Sequence, residues 1–388
     1  MNEASARRKI EQFADACNGC GACRHNCFML GEASMHIGEI ARQVLGDHPL
    51  QEVLDLVYRC SLCGLCSHKC PLNLNPSLVM EQIREYLTYQ PEQQKNLAAS
   101  VAMQVDREWN YFTLYRDTYA ISYDDLFRDH CDTLFIPGCS LSSFSPELVR
   151  KSFQWLEDQG LKIGFSDICC SKPLSSLGLS TRAEQMMRAL SSQLEADGIK
   201  RIVTACPNCH RTFSDFFSSV EVVSIFSLLE KAGVQVSVPS LVSVHDSCPD
   251  RNNQAAQKTL RSLLQGPMVE MEHHGAQTLC CGSGGIVSLV DPKMCERRAS
   301  IRMGELHASG AELCVTTCLA CGHRLNRSGE QNRAVHLLEL VFNEAVNYDD
   351  ITFRSRQMWE GEWGAYNMQR LNGVQSAKVA DQKDVEKR

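Results

Sequence analysis

The amino-acid sequence predicts an α+β multidomain protein, with an α-helical N-terminal module followed by two α/β cysteine-rich repeats. Three observations carry this. Ten cysteines form two copies of one pattern: a single Cys, an adjacent Cys-Cys pair, then Cys-x-x-Cys. The copies are Cys139, Cys169-Cys170, Cys206-Cys209 and Cys248, Cys280-Cys281, Cys318-Cys321. The offset between copies drifts only from 109 residues at Cys139 to 112 at Cys209, so a whole folding unit was duplicated, not a short motif. The segments around these cysteines alternate short apolar runs with amphipathic ones, as strand–helix units do, whereas the N-terminal segments show helical spacing alone.

In the N-terminal module, HIGEIARQVLG places Ile37, Ile40, Ala41 and Val44 at helical spacing. PLQEVLDLVYRC does the same with Leu50, Val53, Leu54 and Val57. The first repeat opens with TLFIPGC, a short strand ending at Cys139, followed by the helix ELVRKSFQWLEDQG, which a glycine closes. Cys169-Cys170 follow KIGFSDI, RAEQMMRALSSQLEADG is a second helix, RIVTACPNC is a strand running into Cys206, and VVSIFSLLEKAG closes the unit. The second repeat matches it element by element: LVSVHDSC, AAQKTLRSLLQG, Cys280-Cys281, CERRASIRMGELHASG, ELCVTTCLAC and AVHLLELVFNEAV. The cysteines therefore fall at strand C-termini, where open α/β sheets place ligands. Gly282-Ser283-Gly284-Gly285 permits close backbone approach and offers successive N–H groups to an anion. Ser171-Lys172-Pro173 replaces the start of that turn in the first repeat, so the two sites are expected to differ. The expected organisation is a helical module over 1–90, an aromatic linker over 91–130, repeats over 131–237 and 238–345, and a tail over 346–388.

Composition narrows the chemistry. A net charge of −7 argues against non-specific nucleic-acid binding. Twenty-one cysteines, an odd number, with no apolar signal segment in MNEASARRKIEQF, argue against a secreted disulfide scaffold and for thiolate ligands in a reducing cytosol. No apolar run approaches the roughly 18 residues of a membrane span. The expected location is cytoplasmic, with any membrane attachment supplied by another subunit.

Cys17, Cys20, Cys23 and Cys27 read C-x2-C-x2-C-x3-C, and Cys60, Cys63, Cys66 and Cys70 repeat that spacing, followed by Pro71, where the first motif has Phe28. Three thiolates of one loop cap three irons of a cubane, and in two-cluster ferredoxins the fourth comes from the other motif. This assigns Cys17, Cys20, Cys23 and Cys70 to one 4Fe–4S cluster and Cys27, Cys60, Cys63 and Cys66 to another. Zinc fits worse, because overlapping C-x2-C steps would crowd one tetrahedral ion. Five thiolates per repeat exceed what a mononuclear tetrahedral site needs. No Gly-rich dinucleotide fingerprint follows a strand, so a flavin or nicotinamide site is not expected on this chain.

The N-terminal module resembles the α-helical ferredoxin modules of fumarate reductase iron–sulfur subunits and of the heterodisulfide reductase C subunit. The five-Cys repeats resemble the CCG, or cysteine-rich, domain family. Its members include the B and D subunits of heterodisulfide reductase and the iron–sulfur subunits of anaerobic glycerol-3-phosphate dehydrogenase, glycolate oxidase and lactate-utilisation systems. Residues 10–345 thus resemble the heterodisulfide reductase D subunit, or a fusion of the C and B subunits. The resemblance implies a noncubane 4Fe–4S cluster on each complete set, Cys139, Cys169, Cys170, Cys206, Cys209 and Cys248, Cys280, Cys281, Cys318, Cys321. The second set is the expected reactive site. It also implies an oxidoreductase subunit that relays electrons through two cubanes to noncubane clusters, which reduce a disulfide-like substrate. Its partner would be a flavoprotein like the A subunit of heterodisulfide reductase. The alternative is the electron-transfer subunit of an FAD dehydrogenase for a hydroxy acid or glycerol phosphate, delivering to quinone.

His245, three residues before Cys248, is a candidate to donate a hydrogen bond to a cluster sulfide or a proton to a leaving thiolate. His336 and Lys172 are read as core or surface residues, and Cys131, Cys295 and Cys314 as free buried thiols. Trp109, Tyr111, Phe112, Tyr115, Tyr119, Tyr123 and Phe127 are expected to pack the N-terminal module against the rest. Trp359, Trp363 and Tyr366 suggest a helix capping the second repeat, ahead of a polar end or a docking segment.

Overall fold

The computed structural model describes residues 3–90, 110–328 and 333–371. Trp109 and the polar end QSAKVADQKDVEKR lie outside them.

The N-terminal module is helical throughout. Glu3–Ala16 packs with Ile37–Leu45 and Pro76–Thr88, and Gln51–Tyr58 completes the core. The periodic residues Ile37, Ile40, Ala41, Val44, Val53, Leu54 and Val57 are buried as expected. Leu50 is not: it caps the Gln51–Tyr58 helix and is 54% exposed, and Leu56 takes the buried face instead. Both cysteine loops turn through left-handed residues directly after their second cysteine, Gly21 (φ 74°) and Gly64 (φ 78°), where only a residue without Cβ sits unstrained.

The first repeat is a four-stranded parallel sheet in the order β2-β1-β3-β4, from β1 (Thr133–Ile136), β2 (Ile163–Phe165), β3 (Arg201–Thr204) and β4 (Glu221–Ser224). The second repeat continues with β5 (Val236–Ser237), β6 (Val242–Val244), β7 (Leu264–Gln265), β8 (Leu313–Thr316) and β9 (Arg333–His336). β6-β8-β9 form a parallel sheet, β5 pairs with β7, and Val242 bridges Met268 at the position β2 occupies in the first repeat. The strands β4 and β9 sit where the sequence showed only a closing apolar segment. VVSIF and AVHLL each divide into a strand and the first turn of a helix, because Ser224 and His336 cap Ile225–Lys231 and Leu337–Phe342.

In this strand order the chain leaves β1 to one side and returns to β3 on the other, so the crevice opens between their C-terminal ends. Cys139 follows β1 and Cys206 follows β3; Cys248 follows β6 and Cys318 follows β8. The topology alone thus brings the outer cysteines of each set together.

Among the described residues, the linker aromatics do not join the N-terminal module to the rest. Tyr111 and Tyr119 hydrogen-bond Ser355 and the Arg354 carbonyl, and Leu114 and Tyr115 pack with Met358 and Leu371. Tyr123 donates to the Ser142 carbonyl and stacks near Phe165, at a centroid separation of 4.6 Å. These rings hold the C-terminal helices, Tyr348–Gln357 and 361–371, against the first repeat. His323, which meets both Thr352 and the Phe144 ring, adds the second repeat to the same junction.

Candidate iron–sulfur centres

Each thiol set is built by local geometry. Cys17, Cys20, Cys23 and Cys70 line one cavity with Gly38, where a Cβ would stand 2.4 Å from the Cys17 Sγ. Cys27, Cys60, Cys63 and Cys66 line a second cavity with Cys280 and Arg298. The fourth cysteine of each motif therefore lies with the other motif's first three. In the first repeat, Cys169 sits within hydrogen-bond reach of Cys139 and Cys170, and Cys209 within reach of Cys170 and Cys206. In the second, Cys281 meets Cys280 and Cys321 (Sγ–Sγ 3.1 Å), Cys321 meets Cys318, and Cys248 faces Cys280.

All 21 cysteines are free thiols. Cys131, Cys295 and Cys314 stand apart from the four sets; the last two are buried and Cys131 is half-buried. Burial pushes the Cys27 thiol up to about 12 and holds Cys66 well above its ordinary value. Cys170 and Cys281 go the other way, well below, because each collects hydrogen bonds from two neighbouring thiols. Left to themselves most of these groups stay protonated at neutral pH, and a bound metal ion is what ionises such a set. Four and five converging thiols with no carboxylate among them suit soft iron–sulfur ligation.

The two five-thiol sites have different surroundings. The first has an apolar wall: Ile136, Met187, Leu190 and Phe213 pack with Cys170 and Cys209. The second has a buried polar wall. His245 is 1% exposed, and its ring nitrogen lies within 4.8 Å of the Cys281 and Cys321 sulfurs. Arg302 Nε donates to His245 Nδ1 at 3.1 Å, and Arg302 Nη1 reaches Glu305 and the His273 carbonyl. Burial first, then the Arg302 charge, pushes His245 down to about 3. The ring is therefore neutral near pH 7 with its proton on Nε2, since Nδ1 is the acceptor. Asp246 takes a bidentate bond from Arg261 at 2.7 and 3.0 Å and fixes the strand end next to His245.

The second site also touches the N-terminal module. Cys63 and Cys280 lie within hydrogen-bond reach of each other. Arg251 Nε donates to the Cys63 carbonyl at 3.1 Å, Arg298 grips the Arg59 carbonyl and Ser61 Oγ, and Arg84 joins the carbonyls of Cys60, Ser176 and Gly285. The Gly-rich turn is packed flat on this loop: a Cβ at Gly285 would stand 2.3 Å from the Cys60 carbonyl oxygen. Sequence reasoning missed the buried arginines Arg84, Arg251, Arg298 and Arg302, because arginine is ordinarily a surface residue. The one signal in the sequence was that Arg298 and Arg302 share the helix face of Ala299, Met303 and Leu306. Lys172 pairs with Glu81 at 2.6 Å, tying the first repeat to the N-terminal module. His336 is buried as a helix cap, not a ligand.

This is an iron–sulfur protein in which a helical dicluster module is seated on a duplicated five-cysteine unit. The 4Fe-4S dicluster domain family matches residues 13–74, and the Cysteine-rich domain family matches residues 133–214 and 242–326. The chain thus carries the dicluster domain and two cysteine-rich domains, and it is homologous at modest identity to the D subunit of heterodisulfide reductase and related iron–sulfur proteins. It is 22% identical over 378 residues to the B subunit of fumarate reductase (CoM/CoB) from Methanothermobacter marburgensis, covering 86% of this chain and 74% of that protein. It is also 22% identical over 309 residues to the D subunit of the dihydromethanophenazine:CoB–CoM heterodisulfide reductase from Methanosarcina barkeri, covering 73% and 76%. An uncharacterized iron–sulfur protein of Methanococcus maripaludis is 22% identical over 290 residues; the match takes in 70% of this chain and spans 57% of that protein's length. Among the described residues no helix is long and apolar enough to cross a membrane.

Proposed function

We propose that this chain is the iron–sulfur subunit of a reductase of the heterodisulfide reductase type. It takes electrons from a flavoprotein partner and delivers them to a site in the second repeat. The observation that carries this is the contact of Cys63 with Cys280, which places a relay-type four-thiol set against a five-thiol set with a polar wall. Two 4Fe–4S cubanes would sit on Cys17, Cys20, Cys23, Cys70 and on Cys27, Cys60, Cys63, Cys66, and noncubane clusters on the two five-cysteine sets. When bound, these groups supply one-electron redox capacity and Lewis-acidic iron.

The reaction proposed is reduction of a disulfide: two electrons and two protons enter and two thiols leave. Around it the chain's own residues have definite tasks. Arg302 holds the His245 ring so that Nε2–H is the free donor. His245 then gives a hydrogen bond to sulfur at the site. Of the two roles considered for it, this one suits a ring that is neutral at pH 7; proton donation by an imidazolium does not. Ser283 Oγ donates to the Ala320 carbonyl at 2.9 Å and braces the turn after Cys281 against the Cys318–Cys321 loop.

The test is metal content after anaerobic purification, followed by a disulfide reductase assay with a reduced viologen as donor. Four clusters give about sixteen irons per chain and two cubanes alone about eight. About sixteen irons without zinc, and turnover of a heterodisulfide, supports the reading. About eight irons with stoichiometric zinc overturns the reductase and leaves a relay.

A further inference from the structure

Three arginines at the junction of the N-terminal module and the second repeat are buried without a carboxylate. Arg84 is 0% exposed, Arg251 2% and Arg298 8%. Their hydrogen bonds go to neutral groups only. Arg84 bonds the carbonyls of Val57, Cys60, Ser176 and Gly285; Arg251 bonds those of Cys63, Ala276 and Thr278; Arg298 bonds the Arg59 carbonyl and Ser61 Oγ. None forms an ion pair among the described residues, although Arg261 and Arg302, a few residues away, both do. Buried charge without a counter-charge is costly enough that folded chains avoid it.

The ionisable groups that face these cations are chiefly thiols, with Tyr58 and Glu81 also acting on Arg84. Arg298 lines the cavity of Cys27, Cys60, Cys63, Cys66 and Cys280. The charges that act most on it are those of Cys280, Cys60, Cys63 and Cys27. Arg251 acts on Cys63 and Cys248, and Arg84 on Cys60. The outer set is different. Cys20 is exposed, and the guanidinium that reaches its loop, Arg42 on the Cys17 carbonyl at 2.8 Å, is itself exposed to water.

We propose that Arg84, Arg251 and Arg298 are the counter-ions of the metal centres on Cys27, Cys60, Cys63, Cys66 and on the second five-cysteine set. They raise the reduction potentials of these centres above that of the outer centre on Cys17, Cys20, Cys23 and Cys70. This rests on the iron–sulfur reading above and adds a direction to it. A fixed, dehydrated positive charge favours the reduced, more negative state of a neighbouring centre, whereas a hydrated one is screened. An electron given to the outer centre by a low-potential one-electron donor therefore runs inward, and the junction holds it.

The experiment is a potentiometric titration of the anaerobically purified full chain, followed by electron paramagnetic resonance with dithionite as reductant. Cys20→Ser identifies the outer centre as the signal it alters. In the wild type the outer signal is expected to reduce at the lower potential of the two relay centres; the reverse order overturns the proposal without any further variant. Arg298→Gln and Arg251→Gln should shift the junction signals to lower potential and leave the outer signal in place, with Arg298→Lys close to wild type. Full iron content with unshifted junction signals in both Gln variants sinks the proposal while leaving the iron–sulfur reading intact. Iron near zero in the wild type sinks that reading itself.

Discussion

At the residue scale the exchange of ligands between the two N-terminal motifs is the sharpest expectation. Cys27 lines the cavity of Cys60, Cys63 and Cys66, while Cys70 lines that of Cys17, Cys20 and Cys23. Cys27→Ala and Cys66→Ala should each cost about four irons, and the double variant no more than either alone. Cys27→Ala with Cys23→Ala should cost about eight. A loss of about eight irons for the Cys27 and Cys66 double variant, with about four for Cys27 and Cys23, would remove the crossed assignment. Three histidines, His245 and His336 buried and His323 half-buried, make a second residue-scale prediction. Burial pushes His245 and His323 down to about 3 and His336 to about 4. Each stays neutral in the folded chain while the unfolded chain takes a proton as pH falls through its ordinary value near 6.5. Their stabilising contribution is thus complete above that value and is lost on going down toward the folded values. The slope is at most about 1.4 kcal/mol per pH unit for each histidine. Urea midpoints at pH 7.5 and 5.5 should differ, and His336→Gln should reduce the difference; a flat profile contradicts the assignment.

At the element scale the turn of Gly282 to Gly285 decides how the second repeat seats. Gly285→Ala would place a Cβ 2.3 Å from the Cys60 carbonyl oxygen, on a residue with φ of +66°. A loss of at least about 2 kcal/mol is expected, read as a lowered urea midpoint. Gly304→Ala, where a Cβ meets nothing within 4 Å, is the control and should leave the midpoint unmoved or raise it. The sequence made the flexibility of this turn legible but not its purpose. Its first N–H groups do turn to the thiols, Gly282 N–H donating to Cys280 Sγ at 3.2 Å and the Ser283 N–H reaching Cys281, whereas Gly284 and Gly285 are glycines because another backbone lies against them. The same limit explains β4 and β9. A four-residue strand followed at once by a helix leaves one apolar run, with no break in hydrophobicity to mark the change. The thiol sets, by contrast, were fully legible, since ligand spacing is a local property and the strand order then has little freedom in where the outer cysteines fall.

Across the whole molecule, Arg84 ties three parts together through carbonyls of the N-terminal module, the first repeat and the second. Arg84→Ala leaves several buried carbonyls without donors, and a loss of about 3–5 kcal/mol is expected. More telling is the shape of the transition. Wild-type unfolding should follow one curve by circular dichroism and by cluster absorbance, whereas Arg84→Ala should separate the two. Coincident curves in the variant would show that the parts are held together elsewhere. None of this long-range stapling could be read from spacing, because its partners are 24 to 201 residues apart and are main-chain oxygens, which every residue carries.

The flat seating of Gly284 and Gly285 on Cys60 and Ser61 has a consequence for biogenesis. Once the second repeat is in place, backbone covers the inner loop, while Cys20 remains open to solvent. Maturation is then a sequence of events. On the iron–sulfur reading, iron and sulfide enter the inner centre most readily on a chain whose halves have not yet closed, and the outer centre can be filled, lost or repaired afterwards. A chain starved of iron during synthesis and supplied with it later should recover its outer centre first.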